Sequence, residues 1–210
     1  KATEINRALG QYDAIFALGG KSLITILYTE GQAVPDQCKV FQLSADAGDL
    51  GRTYSSELSV VGDIKSSLRV LLPELEKATA NHRSDYQRRF ENAVNEFELS
   101  KESLLGQVNE QQSATVIMPL VAAFEAARAI GQDVAIVDEA IATSGSLRKS
   151  LNSRRADQYA FLRGGGLGWG MPAAVGYSLG LGRAPVVCFV GDGAAMYSPQ
   201  ALWTAAHEKL

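Results

Sequence analysis

Residues 185–197, which read Pro-Val-Val-Cys-Phe-Val-Gly-Asp-Gly-Ala-Ala-Met-Tyr, decide the fold of this 210-residue chain. The apolar run up to Val190 predicts a strand, and the Gly-Asp-Gly directly after it predicts a tight turn. Ser198 and Pro199 then predict a new helix, with Ser198 as its N-cap and Pro199 at its first position. A strand that turns sharply into a helix is typical of a doubly wound α/β sheet.

Asp192 stands at the carboxyl end of this predicted strand, which is where parallel α/β sheets bind their ligands. Because Gly191 and Gly193 have no side chains, the backbone N–H groups beside them can approach phosphate oxygens. A carboxylate at that place can hold Mg²⁺ that bridges a diphosphate. For a lone Gly-Asp-Gly, an aspartate that only caps a turn is the more common case, so this motif by itself does not establish a site.

The same alternation of strands and helices extends over residues 113–210. An apolar repeat with helical spacing predicts a helix over Pro119–Ile130, and residues 134–137 predict a short strand. A glycine-rich stretch at residues 164–172 then precedes a helix of small residues. The alternating order of strands and helices in this part of the chain therefore predicts an α/β domain.

Residues 1–64 also predict an α/β arrangement. Three short apolar runs predict buried parallel strands in a small doubly wound sheet, namely Ala14–Leu18, residues 39–43 and Leu58–Val61. The pair Gly19-Gly20 directly follows the first of these strands, at a place where a backbone can approach a ligand closely. Since any strand-to-helix turn can use glycine, this pair is weak evidence for a site.

Residues 65–112 predict a helical linker. This part contains one glycine, Gly106, and glycine costs roughly 1 kcal/mol in a helix interior. Ser84 and Gln87 have the spacing of a capping box at a helix start. The interspersed charges favour a solvated helix surface over a binding site. Apolar residues with helical spacing follow, at Tyr86, Phe90, Val94 and Phe97.

The composition, 46% hydrophobic and 20% charged, is that of a globular protein and excludes several classes. A net charge of −3 and a pI of about 5.5 give no basic field for nucleic acid or an anionic membrane. Two cysteines exclude a disulfide scaffold, and the well-separated His82 and His207 do not favour a histidine metal site. The apolar runs are shorter than the ~20 residues that span a bilayer, and no signal peptide opens the chain. We therefore expect a cytoplasmic protein.

Three segments together resemble the thiamine-diphosphate-dependent decarboxylase and acetolactate synthase family, most closely its benzoylformate decarboxylase branch. They are residues 165–174 (Gly-Gly-Leu-Gly-Trp-Gly-Met-Pro-Ala-Ala), 187–193 (Val-Cys-Phe-Val-Gly-Asp-Gly) and 201–205 (Ala-Leu-Trp-Thr-Ala). The resemblance implies a fragment of a larger enzyme built from doubly wound parallel sheets. On this interpretation the chain contains part of a central domain (1–64), a helical linker (65–112) and the first part of the thiamine-diphosphate-binding domain (113–210).

The resemblance also implies roles for individual residues. Asp192 matches the magnesium ligand of the family. Leu167 matches the bulky apolar residue that holds the cofactor bent, although core packing is the alternative for a leucine, and the Gly165 carbonyl matches an acceptor for the aminopyrimidine. The bend makes ionisation of the cofactor's C2 carbon intramolecular. The remaining matched cofactor-binding positions are Gly191, Gly193, Ala194 and Tyr197.

The activity implied is that of a thiamine-diphosphate- and Mg²⁺-dependent lyase or transferase that decarboxylates or carboligates a 2-oxoacid as a homo-oligomer, a dimer or tetramer. We assign no catalytic residue, because the family's relay glutamate lies in an N-terminal domain and its second metal ligand would follow Leu210. Glu139 matches a strand-end position beside the diphosphate and does not match the relay. We therefore expect these 210 residues alone to bind the cofactor weakly and to be inactive.

Two further points stay open at this stage. Some relatives bind FAD or ADP on the central domain, and Gly19-Gly20 lies at the corresponding strand end. Ile26 falls where the benzoylformate branch has a histidine, which weakens the assignment to that branch. The alternative function is a non-catalytic module that docks a cofactor or serves as an assembly surface.

Overall fold

Two three-stranded parallel sheets organise the residues that the computed structural model describes, which are 2–20, 29–153 and 155–210. These residues fall into two compact units, Lys1–Arg89 and Phe90–Leu210, and each unit contains one of the sheets. The predicted α/β class with parallel sheets flanked by helices is confirmed. The division into 1–64, 65–112 and 113–210 stays a prediction, as does the place of each part in a larger enzyme.

The first sheet has the strand order β1-β2-β3. All three strands pair in parallel, with Phe16 opposite Phe41 and Leu43 opposite Val60, so the three predicted strands are confirmed. Its small core consists of Val34, Cys38 and Val40, with Ile15 and Tyr54 packed against it. The elements of this unit are α1 (Ala2–Leu9), β1 (Ala14–Leu18), β2 (Lys39–Ser44), β3 (Leu58–Val61) and α2 (Ile64–Thr79).

The expected burial of the strands Ala14–Leu18 and Leu58–Val61 is wrong. No residue of β1 is buried, and all four residues of β3 are exposed, with 59% of the surface of Val61 accessible. The physical reason is the strand order, because β1 and β3 are edge strands that each pair only with β2 among the described strands. Only the central strand of a three-stranded sheet has neighbours on both sides, and β2 accordingly contains the buried residues Val40 and Leu43.

The predicted helical middle of the chain is confirmed as α2 followed by α3 (Arg83–Gln112), a helix of 30 residues. The predicted capping box at Ser84 is wrong, because the backbone is already helical there. A 3₁₀ turn over Ala80–His82 continues α2 directly into α3, which leaves no N-cap position for Ser84. The apolar side chains of α3 with helical spacing are exposed, Phe90 by 65% and Phe97 by 54%.

The second sheet has the strand order β5-β4-β6, and every residue of its central strand is buried. Its core consists of Ala123, Ala127, Ile136 and Leu147. The helix predicted over Pro119–Ile130 and the strands predicted near residues 134–137 and 185–190 are confirmed. The elements of this unit are α4 (Pro119–Ile130), β4 (Ala135–Glu139), α5 (Ser144–Ser150), β5 (Tyr159–Phe161), α6 (Gly170–Gly180), β6 (Val186–Val190), α7 (Asp192–Ala195) and α8 (Ala201–Glu208).

The predicted start of the last helix is wrong by two residues. Helix α8 begins at Ala201 with Gln200 as its N-cap, and no side chain caps it. The Ser198 hydroxyl instead donates a hydrogen bond to the carbonyl oxygen of Gly168, in a distant loop. Ser198 has the local sequence pattern of an N-cap, but its hydroxyl makes a tertiary contact instead. In the described part of the chain, no helix combines the length and apolarity needed to cross a membrane.

Candidate functional site

Two adjacent carboxylates end the central strand β4. Asp138 is 1% exposed and Glu139 is 2% exposed. Because successive side chains of a strand point to opposite faces of the sheet, the two carboxylates contact different parts of the structure. A buried carboxylate is costly unless hydrogen bonds compensate for its lost hydration, so the partners of each define what it does.

Glu139 binds the glycine-rich loop formed by residues 164–170. Its Oε1 accepts a hydrogen bond from the backbone N–H of Gly168 at 2.6 Å, and its Oε2 accepts one from Gly170 at 2.5 Å. Gly170 is the first residue of α6, and the N-cap residue Trp169 makes no side-chain cap of its own. The carboxylate of β4 therefore caps α6 from outside the helix, where the partial positive charge of a helix N-terminus favours an anion.

Gly168 and Gly170 leave no room for a side chain. Gly168 has φ +91°, and a Cβ atom there would lie 2.5 Å from the Cβ of Tyr197. A Cβ atom on Gly170 would lie 2.7 Å from Oε2 of Glu139. The absence of side chains at these two positions is what allows Glu139 on one side and Tyr197 on the other to touch the loop backbone.

These contacts bring the glycine-rich loop to the Gly-Asp-Gly segment. Ser198 donates to the Gly168 carbonyl, and Glu139 lies opposite Val190 in the pairing of β4 with β6. The Gly-Asp-Gly follows Val190 directly. The carboxyl end of β4, the glycine-rich loop and the turn after β6 therefore meet at one edge of the sheet, as expected for a ligand site in a parallel α/β sheet.

The residues matched to the cofactor site all lie on the loop or the turn at this edge. Asp192 is exposed at the start of α7, and the described residues include no hydrogen-bond or ion-pair partner for its carboxylate, so nothing there supports a turn-capping role. Leu167 is 45% exposed and belongs to neither core cluster, which argues against core packing. Of the others, Gly165, Gly193 and Tyr197 are exposed, Gly191 is half-buried and Ala194 is buried.

Asp138 lies on the opposite face of the sheet, where its hydrogen bonds connect β4 to α5 and β5. Its Oδ1 accepts from the Ser144 hydroxyl at 2.8 Å and from the Ala140 N–H at 3.0 Å. Its Oδ2 accepts from the Tyr159 hydroxyl at 2.5 Å, and that hydroxyl accepts from Nε of Arg148 at 2.9 Å. Burial, followed by the bond to Asp138, raises the pKa of Tyr159 to about 12. This network of hydrogen bonds therefore stabilises the packing of α5 and β5 against β4.

Cys188 lies on β6 close to both carboxylates. Burial raises the pKa of its thiol to about 11, and the nearby charges of Glu139 and Asp138 add to the effect. Since the thiolate is the reactive form of cysteine, this thiol is not an activated nucleophile at neutral pH. The chemistry of this edge therefore rests on oxygen ligands and backbone groups.

Sequence reasoning placed Glu139 beside the site but missed its contacts. The signal available was the Asp-Glu pair at the end of an apolar strand, because a buried strand does not tolerate unpartnered carboxylates. The pattern could not show that the partners are the N–H groups of Gly168 and Gly170, about 30 residues further along the chain.

Residues 145–210 match a protein family described as "Thiamine pyrophosphate enzyme, C-terminal TPP binding domain". This match includes the glycine-rich loop and the Gly-Asp-Gly. Over 206 residues, 98% of its length, the chain is 26% identical to the benzoylformate decarboxylase of Pseudomonas aeruginosa. The part of the chain that carries the candidate site therefore matches the thiamine pyrophosphate enzymes. Thiamine pyrophosphate is thiamine diphosphate, so the family inferred from the three sequence segments is confirmed.

Two further comparisons point the same way, one by sequence and one by fold. The chain is 25% identical over 216 residues to the acetolactate synthase large subunit of Buchnera aphidicola. The structure of the thiamine diphosphate-dependent 4-hydroxybenzoylformate decarboxylase of Rhodococcus jostii RHA1 covers 99% of this chain with a TM-score of 0.70. At 23% identity, that likeness shows the fold.

The chain spans about 35% of the length of the curated relatives that it matches over nearly its whole length, and 36% of the Rhodococcus structure. Ile26 lies outside the described residues. At this position the chain was expected to differ from the benzoylformate branch, which has a histidine there.

Proposed function

We propose that the full-length protein carrying these residues is a thiamine-diphosphate- and Mg²⁺-dependent enzyme that decarboxylates or carboligates a 2-oxoacid. We further propose that its cofactor lies at the edge where the glycine-rich loop meets the Gly-Asp-Gly. The observation that carries the proposal is this convergence of two segments at the carboxyl ends of β4 and β6, with an exposed and unpartnered Asp192 between them and solvent.

The residues at this edge fit the proposed group. Mg²⁺ prefers oxygen ligands, and the carboxylate of Asp192 supplies one. Gly191 and Gly193 have no heavy atom within 4 Å of the place where a Cβ would stand, so a diphosphate could reach the backbone there. The described residues contain no group of three or more His, Cys, Asp or Glu side chains that could hold a metal. Asp192 would therefore act together with oxygens of the diphosphate.

Each matched residue has a part in holding the cofactor. Asp192 would bind the metal, and the backbone around Gly193 and Ala194, with Tyr197 beside it, would bind the diphosphate. Leu167 would support the bent cofactor from the loop, and the Gly165 carbonyl would accept a hydrogen bond from the aminopyrimidine. The cofactor, when bound, supplies the carbanion that adds to a carbonyl and accepts the electrons of decarboxylation. These residues bind and orient it.

The substrate proposed is a small 2-oxoacid, and the proposed assembly is a cytoplasmic homo-oligomer. The exposed apolar side chains on α3, such as Phe90 and Phe97, support assembly because water-exposed apolar surface favours association. The net charge of −3 supports the proposal that the partners include neither nucleic acid nor anionic membranes.

The test is the variant Asp192→Ala in the full-length protein. Calorimetry with thiamine diphosphate and Mg²⁺ should show an affinity lower by about 10- to 100-fold, since a charge-assisted contact is worth about 1.5–3 kcal/mol. Release of CO₂ from pyruvate and benzoylformate should fall with it. The matched control is Asp133→Ala, which removes an exposed carboxylate at the opposite, amino end of β4.

Unchanged affinity in Asp192→Ala would contradict the proposed site. Tight binding of the cofactor by the unmodified protein, without release of CO₂ from either acid, would favour a docking module over an enzyme of this substrate class.

A further inference from the structure

The buried carboxylate of Glu139 has a geometry that suits one task. It accepts two backbone N–H groups two residues apart, those of Gly168 and Gly170, at 2.6 and 2.5 Å. A carboxylate can accept with both oxygens at once, whereas an amide of the same shape has one acceptor and one donor. A glutamate therefore satisfies both N–H groups from this strand position, and a glutamine cannot.

The two bonds fix the Leu167–Gly168 and Trp169–Gly170 peptide groups, and the Ser198 hydroxyl donates to the Gly168 carbonyl of the peptide group between them. Leu167 directly precedes this fixed segment and is 45% exposed, without a place in either core. Its position therefore depends on the loop backbone, which Glu139 and Ser198 hold from two sides.

We propose that Glu139 is a positioning residue that sets the glycine-rich loop, and through it Leu167 and the Gly165 carbonyl, for the thiazolium and aminopyrimidine part of the cofactor. This inference rests on the proposed function. It assigns Glu139 no contact with the cofactor and no part in proton transfer. It also separates two tasks at the site, because Asp192 would hold the metal and diphosphate while Glu139 would order the loop that supports the rest of the cofactor.

The experiment compares two ligands, Mg²⁺ with thiamine diphosphate and Mg²⁺ with inorganic pyrophosphate, by calorimetry on the full-length protein. In Glu139→Gln, affinity for thiamine diphosphate should fall by about 10- to 100-fold, the usual cost of losing an outer-shell partner or misplacing a group by about 1 Å. Affinity for pyrophosphate should stay unchanged, since pyrophosphate lacks the part of the cofactor that the loop supports.

A second variant reaches the same contact without changing the charge of Glu139. In Gly170→Ala, the new Cβ would lie 2.7 Å from Oε2 of Glu139 and displace it, so the same split between the two ligands should appear. Gly176→Ala is the matched control, because Gly176 lies in α6 outside the loop, the space around it is open and its φ is not positive. Hydrogen exchange of the Gly168 and Gly170 amides, measured without ligand, should accelerate in Glu139→Gln and Gly170→Ala but not in Gly176→Ala.

Equal losses for both ligands would show that Glu139 only maintains the fold and would overturn the inference. Accelerated exchange with full affinity for thiamine diphosphate would overturn it as well, since loop order would then not matter for binding. Failure of the proposed function is distinguishable, because in that case Asp192→Ala would leave the affinity for both ligands unchanged.

Discussion

The two sheets of this chain have the same number of parallel strands but differ in strand order and in how their central strands end. Both sheets are parallel and three-stranded, with β2 in the middle of one and β4 in the middle of the other. Strand β2 ends in Ser44, a neutral side chain whose oxygen accepts from the N–H of Asp46 at 3.2 Å. Strand β4 ends in two buried carboxylates, each with hydrogen bonds to both oxygens.

The glycines that follow the strands differ in the same way. A Cβ on Gly19, after β1, would lie 2.6 Å from the Ile64 side chain, so that glycine allows helix α2 to pack closely. The glycines after β6 face open space, next to an exposed aspartate. The comparison teaches that a three-stranded parallel sheet does not by itself make a site, and that the polar groups at its carboxyl edge do.

The largest expected difference between the sheets is in packing. Ile136 on β4 is 0% exposed, and Ile136→Ala should lower the free energy of unfolding of its unit by about 2–5 kcal/mol through lost burial and a cavity. Val60 on β3 is 43% exposed, and Val60→Ala should cost less than about 1 kcal/mol. Denaturant unfolding followed by tryptophan fluorescence reports the second unit, which contains both Trp169 and Trp203, and hydrogen exchange reports the first. Comparable losses in the two variants would contradict the comparison.

A smaller difference is expected for the two aspartates near the ends of the central strands. Asp138→Asn puts an NH₂ donor against a hydroxyl that also donates, so it should cost about 1–3 kcal/mol of the free energy of unfolding. Asp46→Asn in the first unit keeps an oxygen that can accept from the Gly48 N–H, in an exposed turn, and should change it by no more than about 0.5 kcal/mol. Thermal or denaturant melts of both variants measure this. An Asp138→Asn variant with an unchanged free energy of unfolding would show that the hydrogen bonds of Asp138 do not stabilise the second unit.

The smallest expected difference is in the response to pH. In the second unit, Cys188 has an unfolded pKa of 9.0 and a folded pKa of about 11, so the unfolded chain loses the proton first and stability falls as the pH rises from 9 to 11. Tyr159 extends this decline from its unfolded pKa of 10.0 to about 12. In the first unit, the hydrogen bond from the Ser66 backbone lowers the pKa of Asp63 below 3.8. Its contribution is therefore present above that pH and is lost as the pH falls through the folded pKa.

Unfolding midpoints measured across the alkaline range check the first part of this prediction. Cys188→Ala should flatten the decline that begins at pH 9, and Tyr159→Phe should flatten the part that begins at pH 10. Hydrogen exchange of the first unit in acid, with Asp63→Asn as the comparison, checks the second part. A second unit whose stability does not change on the alkaline side would show that neither group is held protonated by the fold.

The amino-acid sequence by itself predicted every described strand except β5, most of the helices and the resemblance to the family. Apolar runs such as Ala14–Leu18 and the helical period of Pro119–Ile130 depend on neighbours within a few residues, so a local pattern is enough to predict them. The position of Asp192 after a strand is local in the same sense. The motifs of residues 165–174 and 187–193 identified the family because they are contiguous.

The tertiary structure alone decided which groups meet. The exposure of β3 follows from its place at the edge of the sheet, which its own apolar residues do not reveal. Ser198 has the local pattern of an N-cap, yet its hydroxyl bonds to Gly168, and Glu139 finds its partners at Gly168 and Gly170. These contacts join residues about 30 positions apart, and they exist because the order β5-β4-β6 places the ends of β4 and β6 side by side. No local pattern carries that order, since strand order is set by how whole elements pack around a shared core.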